Sequence, residues 1–462
     1  MEKLKEKVGF QSATILVVSV IVGTGVFKKV IPMAADLGTP WYVILCWILA
    51  GLISLAGALS TAEIASLYPN SGGEYYYFQK LYGRFVAFLY GWSSFTITKT
   101  AAISVLGYIF AQSFNTMFPL PEIPLPTGWK DIFLFENFSV KTLAATVIIS
   151  LTLLNHFGVR SAEKLTFTLS VTMMSGIVLF IVFGLFSGAG SFGNLTTSSS
   201  LVEVPTGWAL FSAMMTAGLG AFWGYEGWNS LGYIGEEVKN PKRNLPLALA
   251  TGTMIVIFTY VALNFVFLYV MPIDGFISLK DQTNTIAAVE VAGKFSGPFG
   301  MTLIACLILV TTLNSNNSVI MFSARMIYAL SRDGLFFKKA GAIHPEYNTP
   351  YIALWIQSFW AIVLLYSGTF DQLTNMLVFA AFVFYGMTAL GVIILRIKAP
   401  ELERRYKVIG YPVVPGLFVL FCLGIFLMTI VHQPKEVFWG LMLIFSGVPV
   451  YLWMRRMTRS PQ

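Results

Sequence analysis

The sequence predicts an all-α polytopic membrane protein with about twelve transmembrane helices. Of its 462 residues, 56% are hydrophobic and only 11% are charged, and the mean hydropathy is +0.72. This composition excludes an ordinary soluble domain. Apolar runs of roughly 18 residues or more recur along the chain, and each is long enough to cross a bilayer as a helix. Short basic segments separate the runs, so the formal charge of +8 reflects membrane topology rather than nucleic-acid binding.

The predicted helices follow these runs in order. They lie at residues 11–36, 41–67, 84–115, 140–157, 162–188, 208–235, 245–271, 298–324, 350–368, 373–396, 412–431 and 436–454. With a cytoplasmic N-terminus, most Lys and Arg residues fall inside, and the outside segments carry only Lys130, Lys141, Lys280, Lys294 and Lys435. The positive-inside bias therefore predicts a multi-pass protein of the cell membrane with both termini in the cytoplasm.

The first helix contains a glycine break at its midpoint, Ile21-Val22-Gly23-Thr24-Gly25. Glycine costs about 1 kcal/mol relative to alanine in a helix and frees the backbone to unwind. Unwound backbone at membrane depth is tolerated only where it is buried in protein or lines a cavity. The half-helix that begins near Val26 directs its positive N-terminal end at the break, which suits a carboxylate.

The sixth helix contains a second break, centred on Phe222–Trp228. Its glycines are Gly218, Gly220, Gly224, Gly227 and Gly232. Membrane glycines also serve close helix packing, which is the alternative interpretation. However, helices 1 and 6 occupy corresponding positions in two five-helix halves, and such a matched pair of interrupted helices indicates the midplane site of a secondary transporter.

Several blocks of sequence carry a resemblance to a known family. The pentapeptide Gly23-Thr24-Gly25-Val26-Phe27 resembles the GSGIF-like signature of the amino acid-polyamine-organocation (APC) superfamily of amino-acid transporters. Residues 224–229 (GYEGWN) and 236–246 (EEVKNPKRNLP) resemble two blocks of its L-type exchanger branch, which includes bacterial serine/threonine exchangers. Residues 61–75 and 323–350 agree with the same family, so the similarity covers essentially the whole chain.

The resemblance implies a LeuT-type fold, in which two inverted repeats of five helices precede two further helices and helices 1 and 6 are discontinuous. The domain boundaries that follow are a cytoplasmic N-terminus at 1–10, a first repeat at 11–188, a second repeat at 208–396, two last helices at 412–454 and a cytoplasmic C-terminus at 455–462.

The resemblance also implies where the substrate binds. The N–H groups of Gly23, Thr24 and Gly25 correspond to those that hold the substrate carboxylate, with the Thr24 hydroxyl nearby. The carbonyls that correspond to the ammonium site belong to Ile21, Trp223, Gly224 and Glu226. Trp223 aligns with the aromatic gate of the family, although a membrane tryptophan also commonly packs or lies at the interface. The residues expected to tune the choice of side chain are Trp223, Tyr225, Lys99, Phe382 and Tyr385.

Charged residues at membrane depth are functional candidates by default. Glu226 either contacts substrate or a coupled proton, or stays protonated and hydrogen-bonded within the bundle. Lys99 lies in the middle of the third helix and needs a partner, either in the pocket or in a structural pair. Lys28 and Lys29 are expected to snorkel toward the outer face rather than to contact an acidic side chain. Glu63 is expected to pair with a basic loop residue at the inner gate.

Ion coupling departs from the family pattern at one position. Many sodium-independent members carry a lysine where this chain has Met173. Thr311 and Thr312, with the carbonyl of Val22, are therefore candidate oxygen ligands for sodium. The alternative is that both hydroxyls bond within their own helix, as membrane threonines commonly do.

The function that follows is secondary transport by alternating access, with exchange of neutral L-amino acids favoured over proton- or sodium-coupled symport. An ion channel is disfavoured because no filter-like motif is present. An enzyme is disfavoured because no catalytic pair lies at the midplane, and no phosphate-binding loop or zinc spacing implies a cofactor or a metal. All three cysteines lie in apolar runs, so a disulfide-linked heavy subunit is not expected, whereas a small membrane partner is left open.

Overall fold

The computed structural model describes residues 8–121, 137–280, 286–368 and 370–459, and most of these residues are helical. In this part of the chain no β-strand forms, and the extended backbone makes only two isolated bridges, Val8 with Val238 and Ser71 with Ile234. The predicted all-α polytopic membrane fold of the APC type is confirmed.

The helices group into twelve spans, which we number in chain order. Span 1 comprises Phe10–Ile21, Gly25–Lys28 and Val30–Leu37; span 2 is Pro40–Leu67; span 3 comprises Arg84–Ser93, the π-helical Ser94–Thr98 and Lys99–Met117; span 4 is Phe138–His156; span 5 is Val159–Phe186; span 6 comprises Gly207–Tyr225 and the 3₁₀ turns Trp228–Tyr233 and Gly235–Glu237. Span 7 is Pro241–Val270, span 8 is Ala287–Arg332, span 9 is Tyr351–Ser367, span 10 is Phe370–Lys398, span 11 is Val413–His432, and span 12 comprises Pro434–Phe445 and Gly447–Arg459. Shorter helices lie between spans at Glu74–Tyr82, Gly193–Thr196, Ile273–Ile277 and Lys338–Gly341.

Nine of the described helices are long and apolar enough to cross a membrane by themselves, and they belong to spans 2, 3, 4, 5, 7, 8, 10, 11 and 12. The helices of spans 1 and 9 are apolar but shorter, and span 6 is interrupted. Span 8 contains a kink at Gly297 (φ 60°, ψ −155°), directly before Pro298. The predicted start of this span at residue 298 coincides with the kink, because proline is favoured in the first turn of a helix.

The sequence prediction for span 6 was wrong in one respect. It continued the helix to residue 235 beyond the break, whereas the α-helix ends at Tyr225 and is followed by 3₁₀ turns. Gly227 has a φ of 115°, a left-handed conformation that glycine adopts at little cost. Gly227, Gly232 and Gly235 lower the helical propensity of this segment enough for tertiary contacts to select the tighter turns.

Spans 1 and 6 lie against spans 2, 7 and 8, and small residues permit the close approach. A Cβ on Gly252 of span 7 would lie 2.7 Å from the Val17 side chain of span 1. A Cβ on Gly51 of span 2 would lie 3.0 Å from the Tyr225 hydroxyl oxygen of span 6. These contacts hold the two interrupted spans in the middle of the bundle.

The end of the bundle that contains Val8, Glu237, Arg325 and Arg396 carries most of the Lys and Arg residues of the loops, and we call it the basic end. Here the Val8 N–H donates to the Glu237 carbonyl at 2.9 Å, and the Lys239 N–H donates to the Val8 carbonyl at 2.9 Å. The segment before span 1 is therefore fixed to the chain that follows span 6.

Candidate functional site

The first break lies between Ile21 and Gly25, as the glycines predict. Val22 leaves the helix with a ψ of 96°, and the chain resumes helical geometry at Gly25. In the described chain, the N–H groups of Gly23, Thr24 and Gly25 have no backbone acceptor. The Thr24 hydroxyl is 1% exposed and has no hydrogen-bond partner among the described protein atoms. The break thus offers several donors at the N-terminus of a half-helix, where an anion is favoured.

The second break begins at Glu226, which is extended (φ −64°, ψ 145°) directly after the helix ends at Tyr225. Gly227 follows in its left-handed conformation, and a Cβ there would lie 2.5 Å from the Val20 side chain of span 1. The second break is therefore packed against the helix that leads into the first.

The two breaks are in direct contact. A Cβ on Gly25 would lie 2.9 Å from the Gly224 Cα and 3.0 Å from Cε3 of Trp223. The Tyr260 hydroxyl of span 7 lies 3.0 Å from the Ile21 carbonyl oxygen and 2.9 Å from the Gly224 carbonyl oxygen. Because a hydroxyl has one proton, it shares that proton between two carbonyls that the sequence assigned to the ammonium group of the substrate.

Tyr260 is the residue of this site that sequence reasoning missed. It is fully buried within an apolar helix, and a tyrosine in such a setting commonly packs. Its contact with both breaks arises from the path of span 7 across them, which no local sequence pattern shows.

Trp223 and Tyr225 occupy different surroundings. The Trp223 ring packs on Gly25, and the Lys29 ammonium lies 5.5 Å from its centroid. Tyr225 is fully buried, and its hydroxyl donates to the Trp47 carbonyl of span 2 at 3.2 Å. Of these two candidates, Trp223 faces the route into the break, whereas the hydroxyl of Tyr225 is used within the bundle.

Three predicted pocket residues meet beside the second break. The Lys99 ammonium lies 3.3 Å from Oε1 of Glu226, and the Tyr385 hydroxyl donates to the same oxygen at 2.6 Å. Lys99 is 6% exposed, and its ammonium also lies 5.6 Å from the centroid of the Tyr233 ring. The π-helical stretch that directly precedes Lys99 alters the helical register of span 3 at this point.

Two spaces adjoin the breaks. The first, which we call the wide cavity, has a volume of about 220 Å³ and is lined by spans 1, 6, 10 and 11, including Lys29, Asp36, Thr216, Gly220, Trp223 and Asn375. The second, which we call the narrow pocket, is lined by Glu226, Phe382 and Tyr385 among others. Trp223 and Val378 line both spaces and therefore separate them.

The candidate sodium ligands use their oxygens within the protein. The Thr311 and Thr312 hydroxyls each donate to a carbonyl one turn earlier in span 8, at 2.8 Å. The Val22 carbonyl accepts a hydrogen bond from the Ser315 hydroxyl at 2.8 Å. Met173 is fully buried. This geometry satisfies the three candidate groups, and a sodium site built from them stays a prediction.

Buried ion pairs close the basic end. Arg325 of span 8 lies 3.1 Å from the Glu237 carboxylate. Glu63 of span 2 is 1% exposed and pairs with Arg396 at 2.6 Å and Arg404 at 3.3 Å. The basic partner expected for Glu63 is therefore present, and the pairs connect spans 2, 6, 8 and 10 below the breaks.

Glu74 adds a further link at this end. Its carboxylate is 1% exposed and accepts hydrogen bonds from Tyr90 at 2.6 Å, Asn229 at 2.6 Å and Thr388 at 3.2 Å. These three donors belong to spans 3, 6 and 10, so one carboxylate holds three spans together.

Comparison with known proteins finds relatives that match nearly the whole chain. The chain is 28% identical over 459 residues to the serine/threonine exchanger SteT of Bacillus subtilis (strain 168), an alignment that covers 99% of this chain and 98% of that protein. It is 28% identical to the b(0,+)-type amino acid transporter 1 of Mus musculus, over 99% of this chain and 91% of that protein. It is 26% identical to the cystine/glutamate transporter of Homo sapiens, over 97% and 85% of the two chains.

A family profile described as amino acid permease matches residues 8–454. The match includes both breaks and extends from span 1 into span 12, and it confirms the resemblance that the sequence blocks carry. This chain therefore belongs to the amino acid permease family.

Proposed function

We propose that this protein exchanges neutral L-amino acids across the cell membrane by alternating access. As an amino acid permease it is a transporter and not an enzyme. The observation that carries the proposal is the contact between the two breaks, where the N–H groups of Gly23–Gly25 have no backbone acceptor and two carbonyls share the Tyr260 proton. A free amino acid supplies a carboxylate for the first set and an ammonium group with three protons for the second.

The preference for neutral side chains follows from the charges beside the second break. Lys99 and Glu226 form an ion pair, so together they add no net charge to the narrow pocket. Glu226 lines this pocket and repels an anionic side chain, and because its charge is already paired with Lys99, a cationic side chain gains little attraction there. The rings of Phe222, Trp223 and Phe382 line the same pocket and favour a side chain with apolar surface.

Alternating access is supported by the difference between the two ends. The basic end is closed by the ion pairs of Glu63 and Glu237, whereas the wide cavity leads from the opposite end to Trp223. We infer from the positive-inside bias that the basic end and both termini face the cytoplasm. Trp223 then separates the external solution from the breaks.

The partners of this function are the amino acid and the lipid bilayer. We expect no disulfide-linked heavy subunit, because all three cysteines lie within helices of the bundle. Cys46 and Cys422 are buried, and Cys306 lies in span 8.

Uptake into proteoliposomes tests the exchange. Purified protein is reconstituted with or without a millimolar amino acid inside, and uptake of each of the twenty labelled amino acids is measured. Exchange predicts uptake at least tenfold faster in the preloaded vesicles for a set of neutral L-amino acids. Equal uptake by empty and preloaded vesicles contradicts exchange, and the absence of uptake for all twenty contradicts the proposed function as a whole.

A second candidate is ion-coupled symport of the same substrates, which is favoured by Met173. Many members that work without sodium carry a lysine at this position, and here the buried methionine supplies no fixed positive charge. The same vesicles separate the two functions: a symporter accumulates substrate in empty vesicles when an inward sodium or proton gradient is imposed, and an exchanger does not.

A further inference from the structure

Lys29 lies at the floor of the wide cavity, one turn beyond the first break. Its aliphatic chain packs along Gly220, where a Cβ would lie 3.3 Å from Cδ of Lys29. Its ammonium lies 5.5 Å from the centroid of the Trp223 ring, within the range of a cation–π interaction. The sequence predicted that Lys29 snorkels toward the outer face, and the structure places its ammonium beside the Trp223 ring.

Trp223 is held from two positions on the same face of span 1. Gly25 and Lys29 are four residues apart in helical backbone, so they lie one above the other about 6 Å apart along the axis. Gly25 contacts the ring edge, and Lys29 contacts the ring through its charge. Trp223, which closes the route to the first break, is therefore fixed by the half-helix that begins at Gly25, and the N–H groups of the same half-helix point into the break.

Charge is distributed along the wide cavity in a definite order. Asp36 lies two turns farther along span 1 than Lys29, toward the opposite end, and both side chains line the cavity. An entering zwitterion is therefore favoured with its ammonium group toward Asp36 and its carboxylate toward Lys29. This is the orientation in which the carboxylate reaches the break first.

On the basis of the proposed function, we propose that Lys29 is the first binding site for the α-carboxylate of the substrate and that it holds Trp223 in the closed position until substrate arrives. The carboxylate pairs with the Lys29 ammonium in the wide cavity, and this pairing weakens the hold of Lys29 on the ring. Trp223 then moves off Gly25, and the carboxylate advances one helical turn to the N–H groups of Gly23–Gly25. Lys29 thus acts on substrate capture and on gate opening, before substrate reaches the central site.

The test compares Lys29→Gln with Lys28→Gln, a matched loss of one charge at the adjacent residue. Lys28 is about 100° around the helix and is not among the residues that line the wide cavity. Uptake of labelled L-serine, or of the amino acid that gives the highest uptake in the panel of twenty, is measured in right-side-out membrane vesicles. We expect Lys29→Gln to raise KM about tenfold with kcat changed less than threefold, and Lys28→Gln and Lys29→Arg to stay within threefold of the original KM.

Ionic strength supplies a readout that a purely structural role of Lys29 does not affect. Raising external salt from about 20 mM to about 500 mM shortens the screening length several-fold. We expect the KM of the original protein to rise at least threefold with salt and that of Lys29→Gln to stay constant. An unchanged KM in Lys29→Gln, or an equal salt response with and without Lys29, overturns the inference while leaving the proposed function intact. If Lys29→Gln does not fold, a salt-independent KM in the original protein is sufficient to overturn it.

Discussion

The Cα of Gly224 lies so close to Gly25 that a methyl group on Gly25 would be 2.9 Å from it. A distance this short requires backbone to move, because the neighbouring atom is Cα and not the end of a flexible side chain. Cε3 of Trp223 lies at 3.0 Å from the same position. Glycine at residue 25 is therefore needed for the contact between the breaks, independently of its freedom to unwind.

Gly25→Ala is expected to abolish at least nine-tenths of transport. The added methyl group separates the two breaks by several tenths of an ångström, and overpacking of this kind typically costs about 1–3 kcal/mol. Initial rates of uptake, normalised to the amount of monodisperse protein, measure the effect. The control is Gly218→Ala in span 6, where the nearest atom to the new Cβ is 3.7 Å away. If Gly25→Ala takes up substrate at the rate of the original protein, the close contact between the two breaks is not needed for transport.

The glycine pattern predicted the position of both breaks because helical propensity depends on the local sequence, and each glycine cluster lowers it. The role of Tyr260 is not local. It depends on the crossing of span 7 over spans 1 and 6, which brings a hydroxyl within 3.0 Å of carbonyls 239 and 36 residues away in sequence.

The sequence also showed that Lys99 needs a partner, since a lone buried ammonium is costly. The sequence does not identify that partner, because periodicity does not show which helices pack beside span 3. The choice is made by the packing of span 3 beside spans 6 and 10, which places Glu226 at 3.3 Å from Lys99. Glu63 instead pairs with Arg396 at the basic end.

Tyr260→Phe is expected to destabilise the substrate-free protein and to increase the stabilisation that substrate provides. Without the hydroxyl, the carbonyls of Ile21 and Gly224 lose their donor, and an unsatisfied buried polar group costs about 1–3 kcal/mol. A bound ammonium group restores the lost hydrogen bonds. Thermal unfolding in detergent, with and without saturating substrate, measures both effects.

The matched control for this change is Tyr82→Phe. The Tyr82 hydroxyl donates to the Met387 carbonyl at 2.6 Å, away from both breaks. Its loss is expected to lower the unfolding temperature while leaving the substrate-induced shift unchanged. Equal substrate-induced shifts in the two variants argue against the ammonium site at these carbonyls.

Lys99→Met is expected to let cationic amino acids compete for uptake. The substitution leaves the Glu226 carboxylate at the narrow pocket without its ammonium partner, and a cationic side chain supplies a replacement charge. Competition by L-lysine and L-arginine against a labelled neutral substrate measures the change. A variant that excludes both cations as well as the original protein contradicts the role of Lys99 in side-chain choice.

The double variant Lys99→Met/Glu226→Gln separates charge from packing. Glu226→Gln alone leaves a buried ammonium unpaired, and breaking a buried pair in this way costs about 3–5 kcal/mol. Removal of both charges avoids that cost. We therefore expect the double variant to unfold at a higher temperature than Glu226→Gln and to exclude cationic competitors again. If the loss of stability in the double variant equals the sum of the losses in the two single variants, Lys99 and Glu226 are not coupled.

Acid is expected to loosen the loop before span 6 through Asp274, which lies between spans 7 and 8. Hydrogen bonds from the Ser199 and Ser200 side chains hold the pKa of the Asp274 carboxyl below its usual value of 3.8. A lowered pKa in the folded state means that the carboxylate stabilises the fold above pH 3.8 and that this contribution is lost as the pH falls through the folded pKa. Since the Ser199 N–H also donates to the Gly38 carbonyl at 2.8 Å, this loop is anchored to the end of span 1.

Hydrogen exchange of residues 198–203 is therefore expected to accelerate several-fold below pH 3.8, and Asp274→Asn is expected to show the faster exchange already at pH 7. Glu203→Gln, a charge loss in the same loop on an exposed side chain, serves as the control and keeps the original protection at pH 7; equal exchange in Asp274→Asn and in this control contradicts the anchor.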